Sequence, residues 1–97
     1  MIVVWGRVEA APEHLDEVKR ISLEHVHRSR SEPGCLRHGV HSDVENLNVL
    51  VFYEEWQDMP ALQAHFQVPA SGQFVAALQG LLIGEPEIKI YEADLAR

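Results

Sequence analysis

One cysteine, Cys35, occurs in 97 residues. That excludes an internal disulfide framework and a multi-cysteine zinc site. No apolar run approaches the ~18–20 residues that a membrane helix needs. The N-terminus, Met1-Ile-Val-Val-Trp-Gly-Arg7, lacks the basic-then-apolar order of a signal peptide. Basic residues are scarce: eight Lys+Arg stand against fifteen Asp+Glu, a formal charge of −7. A field of that sign repels a phosphate backbone, so nucleic acid is not an expected partner. The glycines are isolated, with no phosphate loop or dinucleotide fingerprint, and no Ser-His-Asp spacing occurs. What remains is an ordinary globular balance, 46% hydrophobic and 24% charged. The length fits a single domain, 1–97. The expectation is a soluble, cytoplasmic protein.

The chain then reads as alternating strands and helices. Ile2 to Glu9 is β-branched and aromatic, a first strand. Pro12 suits a first helical turn, and Glu13, Asp16 and Glu17 favour its positive end. This helix is expected to run to about Ser31, with Leu15, Val18, Ser22, His25, Val26 and Ser29 on one face. Pro33-Gly34 ends it. Cys35 to Ser42 is a second strand, Asp43 to Asn46 a turn, and Leu47 to Trp56 a third strand. Asp58 caps a second helix whose Leu62 and Phe66 should face inward. Pro69 interrupts it, and Ser71 starts a further stretch carrying Phe74, Leu78 and Leu81. Glu87 to Glu92 is a last strand.

The order β-α-β-β-α-β predicts a ferredoxin-like α+β fold, a four-stranded antiparallel sheet with its helices on one face. The other face of such a sheet is ordinarily polar. Here the third strand carries Leu50, Phe52 and Trp56 on one face and Val49, Val51 and Tyr53 on the other. Two apolar faces and one helical layer call for a second cover. The simplest is another copy of the same sheet, giving a homodimer through Val49, Val51 and Tyr53, a dimeric α-β barrel.

Six histidines invite a metal reading, but spacing within each element supplies no site. His38 and His41 point to opposite strand faces, and His25 and His27 lie about 200° apart on a helix. Glu54 shares the face of Phe52 and Trp56, where a carboxylate needs a partner. It is either a strand-end glutamate that reaches water or an arginine, or a pocket carboxylate suited to proton transfer. His65 flanks the second helix's apolar stripe, as a boundary residue or as a base beside Glu54. His25 and His38 are candidate pocket residues or satisfied core histidines. Trp56 and Phe52 are core residues or walls for a flat aromatic ligand.

Glu32-Pro-Gly-Cys-Leu-Arg-His38, Val51-Phe-Tyr-Glu-Glu-Trp56 and Ala61-Leu-Gln-Ala-His65, in this order, resemble the antibiotic biosynthesis monooxygenase family. The resemblance covers essentially the whole chain and implies small dimeric ferredoxin-like proteins. It places the family's strand glutamate at Glu54, its tryptophan at Trp56 and its helix histidine at His65. The family's activities include oxygenation of quinols and polyketides without cofactor, haem degradation and isomerisation. The expected function is therefore cofactor-independent oxygenation of a quinol, phenol or polyaromatic molecule by dioxygen. His65 would act as base, assisted by Glu54, with no metal. The alternatives are a cofactor-free isomerase using the same base, and a non-enzymatic dimeric small-molecule-binding module.

Overall fold

Alternating β-branched residues place Ile2, Val4 and Val8 on one side of strand β1 (Ile2–Glu9), all buried. In the computed structural model, which describes all residues Met1–Arg97, β1 is central. It pairs antiparallel with β3 (Asn46–Trp56) and β4 (Glu87–Glu92), and β3 pairs with β2 (Cys35–Asp43). The sheet order β2-β3-β1-β4 is the expected ferredoxin-like arrangement.

A single 3-10 turn at Pro12–His14 leads into helix α1 (Leu15–Ser29). The chain then continues to Glu32 in tight turns, with Ser31 N–H bonded to Arg28 O and Glu32 N–H to Ser29 O. This is why the helical pattern read as running to about Ser31. The inner face of α1 also buries Ile21, which fits the same spacing as Val18 and His25. Gly34 at φ 81° reverses the chain into β2.

The second helical region is two helices, α2 (Met59–Gln67) and α3 (Pro69–Leu78). Asp58 caps α2 by accepting from Ala61 N–H. Val68 stands extended before Pro69, as a residue preceding proline must. Proline therefore starts α3 as well as stopping α2, two residues before the expected Ser71. Phe66 does not face inward. It is 46% exposed, because the turn of α2 that buries Leu62 and His65 directs it to solvent.

All helices lie on one side of the sheet. α1 crosses β2 and packs on α3, and α2 crosses β3. One core holds Val8, Val18, Ile21, Val26, Leu50, Phe52 and Leu78; a smaller one holds Ile2, Val4, Trp56 and Leu62. Trp56 and Phe52 are thus core residues. A bulge between Cys35 and Arg37 resets the register of β2. It moves Leu36 off the helix face, leaving it exposed, and sets His38 opposite Glu54.

The other face carries half-buried Val3, Trp5, Val51 and Tyr53. Val3, Trp5 and Tyr53 line a shallow hollow with Lys89 and Tyr91. Val49 corrects the expected interface: it is only 1% exposed in the single chain and has no surface left for a partner. It sits at the sheet end where Leu81–Ile83 runs along Glu9–Ala11. No helix is long and apolar enough to cross a membrane.

Candidate active site

Three histidines from three elements meet beneath the helices. His25 comes from the inner face of α1, His38 from β2 just after the bulge, and His65 from the last turn of α2. All three are buried. Their ring centroids are 5.2 to 5.6 Å apart. One ring nitrogen from each lies within 4.8 Å of the others. Separate turns of chain bring these side chains together, so the spacing argument against a metal site, made within single elements, does not reach this arrangement.

Each imidazole has a different outer environment. His65 Nδ1 donates to Glu32 Oε1 at 2.7 Å, which fixes the ring and leaves Nε2 as its basic atom. Arg28 Nη2 donates to His25 Nδ1 at 2.8 Å and to Ser71 Oγ at 3.2 Å. Arginine cannot accept, so His25 carries its proton on Nε2. Phe74 stacks on His25 with centroids 4.2 Å apart. Burial, reinforced by His38, His65 and Arg28, holds the His25 pKa down at about 3, so the ring is neutral. His38 Nε2 lies 3.3 Å from Glu54 Oε1 but out of line for a hydrogen bond, and neither ring nitrogen has a hydrogen-bond partner.

Glu54 is as buried as the histidines. Burial pushes its pKa up, but the His38 ring and the Trp56 N–H outweigh it and hold the carboxyl below the usual range. Trp56 Nε1 donates to Glu54 Oε1 at 2.8 Å. Glu54 is therefore engaged by Trp56 and His38, and the carboxylate bonded to His65 is Glu32 instead of the expected Glu54. Glu32 lies in the turn after α1; in the sequence, Pro33-Gly34 reads as a helix stop and Glu32-Pro-Gly-Cys as part of the family resemblance, with no role given to Glu32 itself.

The pocket that Glu54 and His65 would share, with Trp56 and Phe52 as walls for a flat aromatic ligand, is also replaced. The three imidazoles and the Trp56 ring, 4.7 Å from that of His65, occupy that space. The accessible hollow lies on the other side of His65, between α2 and the α1–β2 turn. It holds about 360 Å³ and is lined by Glu32, Gly34, Asp58, Ala61, His65 and Val68 among others. Glu54, Trp56 and Phe52 do not line it. A second hollow of about 290 Å³, between α1 and α3, reaches His25, Arg28 and Phe74. Arg28, Ser71 and Phe74 were not singled out as site residues from the sequence; the only local signal was Arg28 three residues after His25 on one helix.

Comparison with known proteins adds the following. The sequence profile of the family described as antibiotic biosynthesis monooxygenase matches residues 1–77. An uncharacterized protein of Synechocystis sp. is 37% identical over 91 residues, covering 94% of this chain. The chain spans 62% of the length of that relative. Among solved structures, a candidate antibiotic biosynthesis monooxygenase from Deinococcus radiodurans superposes with a TM-score of 0.95 at 26% identity, over 100% of this chain and 96% of that one. A conserved protein from Methanosarcina mazei Go1 gives 0.91 at 28% identity, over 96% of this chain and 92% of that one.

Proposed function

The chain belongs to the antibiotic biosynthesis monooxygenase family, and from that premise we propose that it oxygenates a quinol, phenol or polyaromatic molecule with dioxygen. The observation that carries this reading is the His65–Glu32 pair at the wall of the open hollow. A buried imidazole oriented by a carboxylate is a suitable base for a phenolic proton. Two carboxylates, Glu32 and Asp58, line the hollow, with no Lys or Arg among its walls. That favours a neutral ring system over an anionic one.

The His65–Glu32 pair takes the phenolic proton, and Glu32 stabilises the resulting imidazolium. The electron-rich anion passes one electron to dioxygen, and the radical pair recombines into a carbon-bound peroxide. His65 returns its proton to the peroxide, and loss of the hydrogen on the peroxide-bearing carbon as a proton, with cleavage of the O–O bond, releases water and leaves a carbonyl. The substrate supplies every electron, so the sequence needs no flavin or metal. The protein's part is to hold the ring and take the proton.

The protein works as a cytoplasmic homodimer through its outer sheet face, using Val51 and Tyr53 together with Val3, Trp5 and Tyr91. Metal-stripped protein given a panel of quinols and polyaromatic phenols should consume oxygen, and His65→Asn should abolish this. No uptake above buffer across the panel contradicts the reading. Turnover that persists without oxygen makes the same base that of an isomerase.

A further inference from the structure

Buried imidazoles that meet without hydrogen-bonding one another need something to satisfy them. We propose that His25, His38 and His65 form a binding site for one divalent transition-metal ion of the zinc, cobalt, nickel or copper class.

Four observations carry it. One ring nitrogen from each histidine lies within 4.8 Å of the other two, and all three residues are buried. Both nitrogens of His38 are buried with no hydrogen-bond partner, although its side chain has no exposed surface. Such a group is costly unless something binds it. Outer partners already stand where a metal site needs them: Glu32 holds His65 Nδ1 at 2.7 Å, and Glu54 lies 3.3 Å from His38 Nε2. A carboxylate behind an imidazole fixes its orientation and raises its strength as a ligand. Finally, the charges around the trio are unequal. Glu32 and Glu54 stand directly on the rings of His65 and His38, whereas the two nearby guanidiniums bind away from the centre, Arg28 at His25 Nδ1 and Arg30 at the His38 carbonyl oxygen.

Imidazole donors select the metal class. They suit zinc, copper, nickel and iron, whereas magnesium and calcium require oxygen ligands. A tetrahedral ion with bonds of about 2.0–2.1 Å needs nitrogens about 3.3 Å apart. The widest pair therefore closes by about 1.5 Å on binding.

Arg28 is the group that must yield. While it donates to His25 Nδ1, the His25 proton occupies Nε2, the ligand atom. Binding shifts that proton to Nδ1 and moves Arg28 away. A new acceptor is in place: Arg28 Nε and Glu32 Oε2 are both buried without hydrogen-bond partners, 3.8 Å apart. His25 lines the hollow between α1 and α3, which gives the freed Nδ1–H a route to solvent. An occupied site takes the lone pair of His65, so under the proposed oxygenation the metal is an inhibitor. The binding itself does not rest on that reading.

The test uses tag-free, chelator-stripped protein without substrate, titrated with Co²⁺. The expected result is the intense visible absorption of low-coordinate, nitrogen-bound cobalt, saturating at one ion per chain, displaced by Zn²⁺ and untouched by excess Mg²⁺. His38→Ala and His38→Asn should each weaken binding at least tenfold. Circular dichroism and thermal melting identify a variant that has lost its fold, and the other then decides. The surface pair His27→Ala/His41→Ala should bind as the parent does. Absence of the cobalt spectrum overturns the proposal, as does binding that survives both His38 variants or vanishes in the surface pair. Oxygen consumption is measured separately, so either result can fail alone.

Discussion

Gly34→Ala should destabilise the protein by about 2–5 kcal/mol, and the number comes from two separate sources. Gly34 sits at φ 81°, where an L side chain costs about 1–2 kcal/mol. A Cβ built there also meets Ala61 Cβ at 2.5 Å, well inside contact distance. Forcing that overlap into the seam between the α1–β2 turn and α2 adds about 1–3 kcal/mol. Two other glycines separate the terms. Gly80, at φ 84° with nothing within 4 Å of its Cβ, should lose only the backbone part, about 1–2 kcal/mol, on Gly80→Ala. Gly72 lies inside α3, at ordinary φ and in open space, so Gly72→Ala should gain about 0.5–1 kcal/mol. Adding Ala61→Gly to Gly34→Ala removes the overlap and keeps the backbone cost, so the double variant should recover part of the loss. Urea unfolding at one fixed protein concentration reads all four. The reasoning is refuted if Gly34→Ala loses no more than Gly80→Ala, or if Ala61→Gly rescues nothing. A functional consequence follows, because Ala61 and His65 are one turn apart on α2 and Gly34 lies two residues from Glu32. Pushing the seam open should lengthen the Glu32–His65 bond and slow turnover even where the fold survives.

His65→Asn should lower kcat/KM on the responding substrate by about 10²–10⁴-fold, the usual weight of a positioned base. Glu32→Gln should cost roughly tenfold in kcat, whereas Glu54→Gln should mainly lower the melting temperature; the reverse ranking restores Glu54 as the orienting carboxylate. Val51→Glu should leave an 11.0 kDa species in sedimentation at micromolar concentration, since it buries an unpaired charge in the proposed interface. An unchanged dimer rules that face out. His25 makes stability depend on pH in chelator. Its folded pKa, about 3, lies below its ordinary value of 6.5, so the unfolded chain binds the extra proton. Its contribution is complete above 6.5 and falls by about 1.4 kcal/mol per pH unit down to about 3. Urea midpoints should fall between pH 6.5 and 5 in the parent and less steeply in His25→Phe; parallel slopes refute the assignment.

The strands were legible because one residue type decides each position. Val, Ile and aromatic side chains alternate along β1 and β3, and a period of two admits one register of faces. Helix ends were legible where a residue has no alternative use: Asp58 as a cap, Pro33-Gly34 as a stop. The errors fall where a contact distant in sequence chooses between equal local options. Phe66 and His65 are neighbours on one helix, and the sequence cannot say which of the two α2 turns toward the sheet. Leu36 fits the helix-side alternation of β2 until one bulge residue moves it out of the ladder and leaves His38 in register with Glu54.

The site errors share a single cause. Glu54 and Trp56 are two apart on a strand, so placing them on one face required only the pleat, and they do touch. Glu32 and His65 are 33 residues apart, and no periodicity links a turn after one helix to the last turn of another. The histidine trio also comes from three elements; its members were candidate pocket residues in the sequence, but no periodicity set their mutual contact. The buried polar cluster of this fold is assembled at the seam where α1, β2 and α2 converge, and pairs within one element report on that seam poorly. Glu32 was in view throughout, within the Glu32-Pro-Gly-Cys segment. A carboxylate directly before the Pro-Gly reversal is held by the turn itself, with Gly34 allowing the close approach of Ala61 on α2. That approach brings His65, one helical turn farther along, to Glu32. The glycine that ends a helix thus also sets the distance between His65 and Glu32.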